Sequence, residues 1–169
     1  DPLIEHIITS DNDPVEKTLI PYKVDDGNYV KAEVRKAFGN NSYFTKLKFN
    51  QYDANGNVLE YAMYPDTDGG IITSVVWVDE EPRVIAQDVS YNDLLTAYNY
   101  AVTQQDFDNA LRNHSNLSNK IVKTFEHKGL VGVSKSIDES EVPMSFDYDA
   151  SGRLIRIKDP DNQTTDQFE

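Results

Sequence analysis

The sequence predicts a mainly β fold, built as antiparallel hairpin sheet with a short two-helix insertion at about residues 90–116, in one β-rich domain over residues 1–169. Three observations carry that expectation. Ten tyrosines and seven phenylalanines among many Val and Ile suit a pleated, half-buried surface better than a helix. Turn-forming clusters recur at Asp25-Asp26-Gly27-Asn28, Gly39-Asn40-Asn41, Asn55-Gly56-Asn57, Asp68-Gly69-Gly70, Lys128-Gly129 and Ser151-Gly152, most of them between β-forming runs. The texture changes once, from Ser90 to about Asn116, where apolar residues fall at helical spacing.

Alternation is clearest at Val30, Ala32 and Val34, interleaved with Lys31, Glu33 and Arg35, which reads as a strand with one wet face. Comparable runs are Lys17–Val24, Ser42–Gln51, Val58–Tyr64, Ile71–Val78 and Arg83–Asp88, then Lys120–His127, Val131–Ile137, Val142–Tyr148 and Arg153–Lys158. In the insertion, Leu94, Leu95 and Tyr98 follow a Ser90 cap with Asp93 three residues on. Phe107, Ala110 and Leu111 repeat the pattern behind Thr103, and Asn113-His114-Ser115-Asn116 reads as the loop back to strand.

Sixteen Lys and Arg against twenty-nine Asp and Glu leave a net charge of −13, which repels a phosphate backbone and argues against nucleic acid as a partner. With no cysteine, thiolate metal sites, thiol catalysis and disulfides are excluded together. No stretch approaches the roughly 20 apolar residues of a membrane helix. Asp1-Pro2, without a starting Met, reads as a processed or trimmed end, which leaves room for an export signal removed upstream.

One segment recurs. Phe49–Tyr61 reads FNQYDANGNVLEY and Ser145–Ile157 reads SFDYDASGRLIRI, matching at Tyr52 and Tyr148, Asp53 and Asp149, Ala54 and Ala150, Gly56 and Gly152. Gly56 and Gly152 supply the positive φ of a tight reversal. Asp53 and Asp149 accept from turn amides and so pin the register. Tyr52 and Tyr148 offer a ring to cross-strand neighbours and a hydroxyl that can stay wet.

Tyr-Asp-Ala-x-Gly-(Asn/Arg)-(Val/Leu), twice in one chain, resembles the tyrosine-aspartate motif of the Rhs and YD-repeat proteins. The stretch around Trp77 and the later Gly129-Leu130-Val131-Gly132-Val133 run are similar to a long-insert version in exported proteins of Bacteroidetes. The similarity covers about Tyr43–Pro160, and the first forty residues match loosely. Asp79-Glu80-Glu81-Pro82 stands where that version carries an aromatic, glycine-rich turn. Two copies of the motif fall short of a complete encapsulating shell. The resemblance implies a hairpin sheet of YD-repeat type and a structural or interaction module of a secreted or cell-envelope protein, without chemistry or cofactor of its own.

Sharper chemistry finds little support in the spacing. Asp53 with Asp149 is the candidate carboxylate pair for glycoside hydrolysis, but both already have work in turns. Asp53–Asn57 and Asp159–Asn162 place oxygen atoms at short spacing without the ligand set of a calcium loop, since Glu60 falls at position eight. His6, His114 and His127 form no metal motif, and Gly132-Val133-Ser134 lacks the second glycine of a nucleophile elbow. The expectation is therefore no catalytic and no metal residues. Trp77, Tyr98 and Tyr100 are the candidate contact residues for the alternative, a carbohydrate or protein partner held on exposed aromatics.

Overall fold

The computed structural model describes residues 3–10, 13–129 and 131–168. Asp1, Pro2 and Leu130, on which parts of the sequence reading fall, lie outside the described residues. Among the described residues thirteen strands pair antiparallel, and the ladder order follows the chain except that β3 lies off that path and pairs with β2. The chain divides after Ser74 into two compact units.

The first unit is a meander. β1 (Leu3–Ser10) pairs with β2 (Asp13–Asp25), and β2 also pairs with β3 (Asn28–Lys31) and β4 (Glu33–Phe38). β5 (Phe44–Tyr52), β6 (Val58–Met63) and the start of β7 (Ile71–Val78) continue the ladder. The single strand expected around Val30–Arg35 is two, broken at Ala32. Its amide bonds Pro21 O at 2.8 Å, and Pro21, opposite the break, has no N–H to return. The interior here is thin, with Val30, Ala37 and Ala62 as the buried apolar side chains.

The second unit holds the larger core. From β7 the chain turns into β8 (Glu81–Gln87), then α1 (Tyr91–Ala101), α2 (Phe107–Arg112) and a 3-10 turn at Ser115–Leu117 before β9 (Ile121–His127). Val76, Val84, Ala86 and Val122 from the strands meet Leu94, Ala97, Ala101, Leu111 and Leu117 from the insertion in one buried cluster. Ser90 caps α1 as its spacing predicts, accepting from Asp93 N at 3.3 Å while its hydroxyl donates to Asp93 Oδ2 at 2.7 Å. α2 is capped by Asp106, whose Oδ1 accepts from Asn109 N at 3.2 Å, and not by Thr103. The stretch expected as a plain loop at Asn113–Asn116 contains the 3-10 turn, capped by His114 Nδ1. β10 (Val133–Ile137), β11 (Pro143–Tyr148), β12 (Leu154–Lys158) and β13 (Thr164–Gln167) complete the unit as hairpins.

Neither β1 nor β13 is among the strands that the sequence predicts. β1 is a run of Leu and Ile without strict alternation, and β13 is polar throughout, so neither carries the period-two signature.

Candidate functional site

Both tyrosine-aspartate segments fold into the same turn, one in each unit. After β5, Asp53 N donates to Asn57 O at 3.0 Å and Gly56 N to Asp53 O at 3.1 Å. Asp53 Oδ1 accepts from Asn55 N at 2.9 Å and Asn57 N at 2.8 Å. After β11, Asp149 N donates to Arg153 O at 2.9 Å and Gly152 N to Asp149 O at 3.1 Å. Asp149 Oδ1 accepts from Ser151 N at 2.8 Å and Arg153 N at 2.9 Å. Gly56 and Gly152 sit at φ +85° and +79°, which glycine adopts without a Cβ clash. The extra turn residue is absorbed as a register shift beside each tyrosine. The Arg153 amide, then its guanidinium, hold the Asp149 carboxyl below the usual carboxylate range.

Two more aspartates build this turn without the motif. Asp138 Oδ1 accepts from Ser140 N at 2.9 Å, with Glu141 N on Asp138 O at 3.1 Å. Asp159 Oδ1 accepts from Gln163 N at 2.8 Å, with Asn162 N on Asp159 O at 3.0 Å. Glu141 and Asn162, both at φ 62°, occupy the glycine position. Asp159–Asn162 is turn chemistry that the residues themselves announce; at Asp138 the signal was an aspartate closing a strand, and the missing Tyr and Gly concealed it.

Both tyrosine hydroxyls are bonded to main chain. Tyr52 donates to Lys31 O at 2.6 Å and Tyr148 donates to Val133 O at 2.8 Å. Each ties its hairpin to main chain of a preceding strand. Tyr52 is also flanked by Phe49 at 6.1 Å and covered by Lys23 Nζ at 5.6 Å from its ring centroid. Burial, followed by the nearby Asp25 and Tyr22, pushes its hydroxyl pKa up to about 12. Beneath Tyr148 lies Gly132 at φ +144°, where an added Cβ would stand 2.9 Å from the tyrosine oxygen. That close approach is a physical reason for a glycine in the Gly129–Val133 stretch.

Among the proposed contact residues, Trp77 is half-buried on β7. Tyr98 packs edge-on to Phe107 at 5.7 Å against the buried cluster. Tyr100 is exposed, its ring 5.5 Å from His114. Tyr98 and Tyr100 thus leave α1 in different directions. The first unit presents an aromatic row that the sequence reading did not name. Phe38, Phe44 and Tyr64 are all exposed, with ring centroids 6.0 and 6.5 Å apart. The register places Phe44 opposite Lys36, so Phe38 and Phe44 share a face. These residues sit at strand ends beside turns, where an isolated aromatic gives no periodic signal.

Two grooves flank these features. One, of about 560 Å³, lies beside the first hairpin, with Tyr22, Tyr29, Phe49, Tyr52 and Asn55 in its walls. The other, of about 500 Å³, is lined by Glu81, Arg83, Glu126 and His127. There His127 Nδ1 lies 3.3 Å from Glu81 Oε2, while the Arg83 guanidinium donates to Phe125 O and covers the Phe107 ring at 4.6 Å. Among the described residues, no three His, Asp or Glu side chains cluster as a metal site, and no helix is long and apolar enough to cross a membrane.

No protein-family model and no curated protein matches the chain. Solved structures do match over 92% of it. One is a chain of the Photorhabdus luminescens Tc holotoxin pore, at 10% identity and a TM-score of 0.48. Another is a chain of the TcdB2–TccC3–Cdc42 structure, at 11% identity and a TM-score of 0.46. The chain spans 7% and 8% of the lengths of those two.

Proposed function

We propose that this chain is a non-catalytic structural module, of the Rhs or YD-repeat kind, within an exported or envelope-associated bacterial protein. One observation supports this reading above the others: the polar groups of the tyrosine-aspartate motif are spent on the fold. Asp53 and Asp149 carry turn amides on Oδ1, and Tyr52 and Tyr148 donate to backbone carbonyls. A general acid or nucleophile needs a carboxyl free to meet substrate, and these are engaged. The export half of the proposal rests on the resemblance of the motif-bearing segments. Fractionation of the native host, probed with antibody to the chain, is expected to recover it in the envelope or the medium. Recovery in the cytoplasm would contradict export. Hydrolase activity abolished by Asp53→Asn in a folded protein would contradict the non-catalytic reading.

The exposed Phe38, Phe44 and Tyr64 row favours a second reading, in which the module also holds a protein or carbohydrate partner. Its test compares wild type with the Phe44→Ser, Tyr64→Ser variant on arrayed glycans and on candidate partner proteins. Binding that survives both substitutions would exclude the row.

A further inference from the structure

The first tyrosine-aspartate turn carries the chain's single Asn-Gly pair, Asn55-Gly56. In such a pair an asparagine side chain closes most readily on the following nitrogen, because glycine sets no Cβ beside the attacking atom. Asn55 is exposed, and among the described residues its side-chain amide has no hydrogen-bond partner. Water reaches the group, and the turn is what restrains it.

That restraint lies in the main chain. The Gly56 N–H, whose nitrogen would attack, is donated to Asp53 O at 3.1 Å. Asp53 Oδ1 holds the amides on either side of it, accepting from Asn55 N at 2.9 Å and Asn57 N at 2.8 Å. Asn57 Nδ2 adds a bond to Asp53 Oδ2 at 3.0 Å. To swing toward the Asn55 side chain, the Gly56 amide has to leave Asp53. The Asp53 carboxylate also opposes the negative charge that this nitrogen takes on when it loses its proton. In the second hairpin Ser151 stands at the position of Asn55, so the same turn there carries no reactive amide.

We propose that Asn55 is a deamidation site guarded by the Asp53 turn, spared while the hairpin is closed and modified when it opens. The chemistry needs only water. Hydroxide removes the Gly56 N–H proton, and the nitrogen bonds to Asn55 Cγ. The side-chain nitrogen takes a proton from water and leaves as ammonia, and a cyclic imide remains. One water then opens the imide at either carbonyl, to aspartate or to isoaspartate. The isoaspartate product routes the main chain through Cβ. That added atom breaks the match between Asp53 O and Gly56 N, so modification removes the turn irreversibly.

The test ages the full chain at mildly alkaline pH, native and in urea, and maps peptides for the mass gain of amide-to-acid conversion. In urea Asn55 is expected to convert ahead of every other asparagine, and in the native chain far more slowly. Asp53→Ala should speed native conversion by about 5–30-fold, the change in open population that loss of the Asp53 side-chain bonds implies. Asn55→Ser, which borrows the residue of the second hairpin, should abolish the gain in that peptide. Another asparagine converting first in urea would overturn the site. Native conversion as fast as in urea, or folded Asp53→Ala ageing at the wild-type rate, would overturn the guard. The comparison of native chain with urea needs no variant, so it decides the matter even where Asp53→Ala fails to fold. None of these outcomes bears on export or on the absence of catalysis, which fractionation and hydrolase assay test separately.

Discussion

At the scale of single residues, the two motif tyrosines act as ties between strands. Removing a hydroxyl that donates to a main-chain carbonyl costs about 0.5–1.5 kcal/mol. The Tyr52 hydroxyl also confers a pH dependence. Its pKa in the fold, about 12, lies above the value near 10 of an unfolded tyrosine. The unfolded chain ionises first, so this contribution is whole below about pH 10 and declines as pH rises toward 12. Thermal melts of wild type and Tyr52→Phe should therefore show a stability gap that narrows across that window, and a constant gap would reject the assignment. Gly132 makes the complementary case. Gly132→Ala is expected to lower the urea midpoint, and Gly132→Ala combined with Tyr148→Ala should lose less than the two single losses added together. Simple additivity would mean that the ring does not press on this position.

At the scale of elements, turn geometry decides how much could be read in advance. Ile71–Val78 is a strand as its β-branched run predicts, and α1 begins at Tyr91 because its Ser90 cap and Asp93 are both local signals. The turn at Asp138 stayed hidden because positive φ falls there on Glu141 and not on glycine, whereas Asp159-Pro160-Asp161-Asn162 reads as a turn from its residues although positive φ falls on Asn162. Between β7 and β8 the same thing happens twice in succession. Asp79 and Glu80 have φ of 52° and 65°, a conformation that hairpins commonly fill with Asn-Gly. Glu80→Gly should relieve a left-handed strain of about 1 kcal/mol, raising the urea midpoint without changing the slope. A lower midpoint would show that Glu80 contributes more through its side chain than its backbone costs. The candidate contact surface was less legible still. Tyr98 belongs to the helix face that meets the core, whereas Phe38, Phe44 and Tyr64 come together only through strand register across two connections. No local pattern encodes that meeting.

At the scale of the molecule, the two units are stabilised in different ways. The second has a buried cluster with helices laid on its strands, and the first, whose buried apolar side chains are Val30, Ala37 and Ala62, depends more on ladder bonds, the Asp53 turn and the Tyr52 tie. Its hairpin is therefore where the structural role of the motif is most exposed to test. The direct measurement is urea unfolding of wild type, Tyr52→Phe and Asp53→Ala, with amide hydrogen exchange locating any loss. Asp53 holds two turn amides, so Asp53→Ala should cost about 1–2 kcal/mol, with faster exchange concentrated in residues 44–63. Variants as stable and as protected as wild type would contradict the claim that the motif exists to hold the sheet.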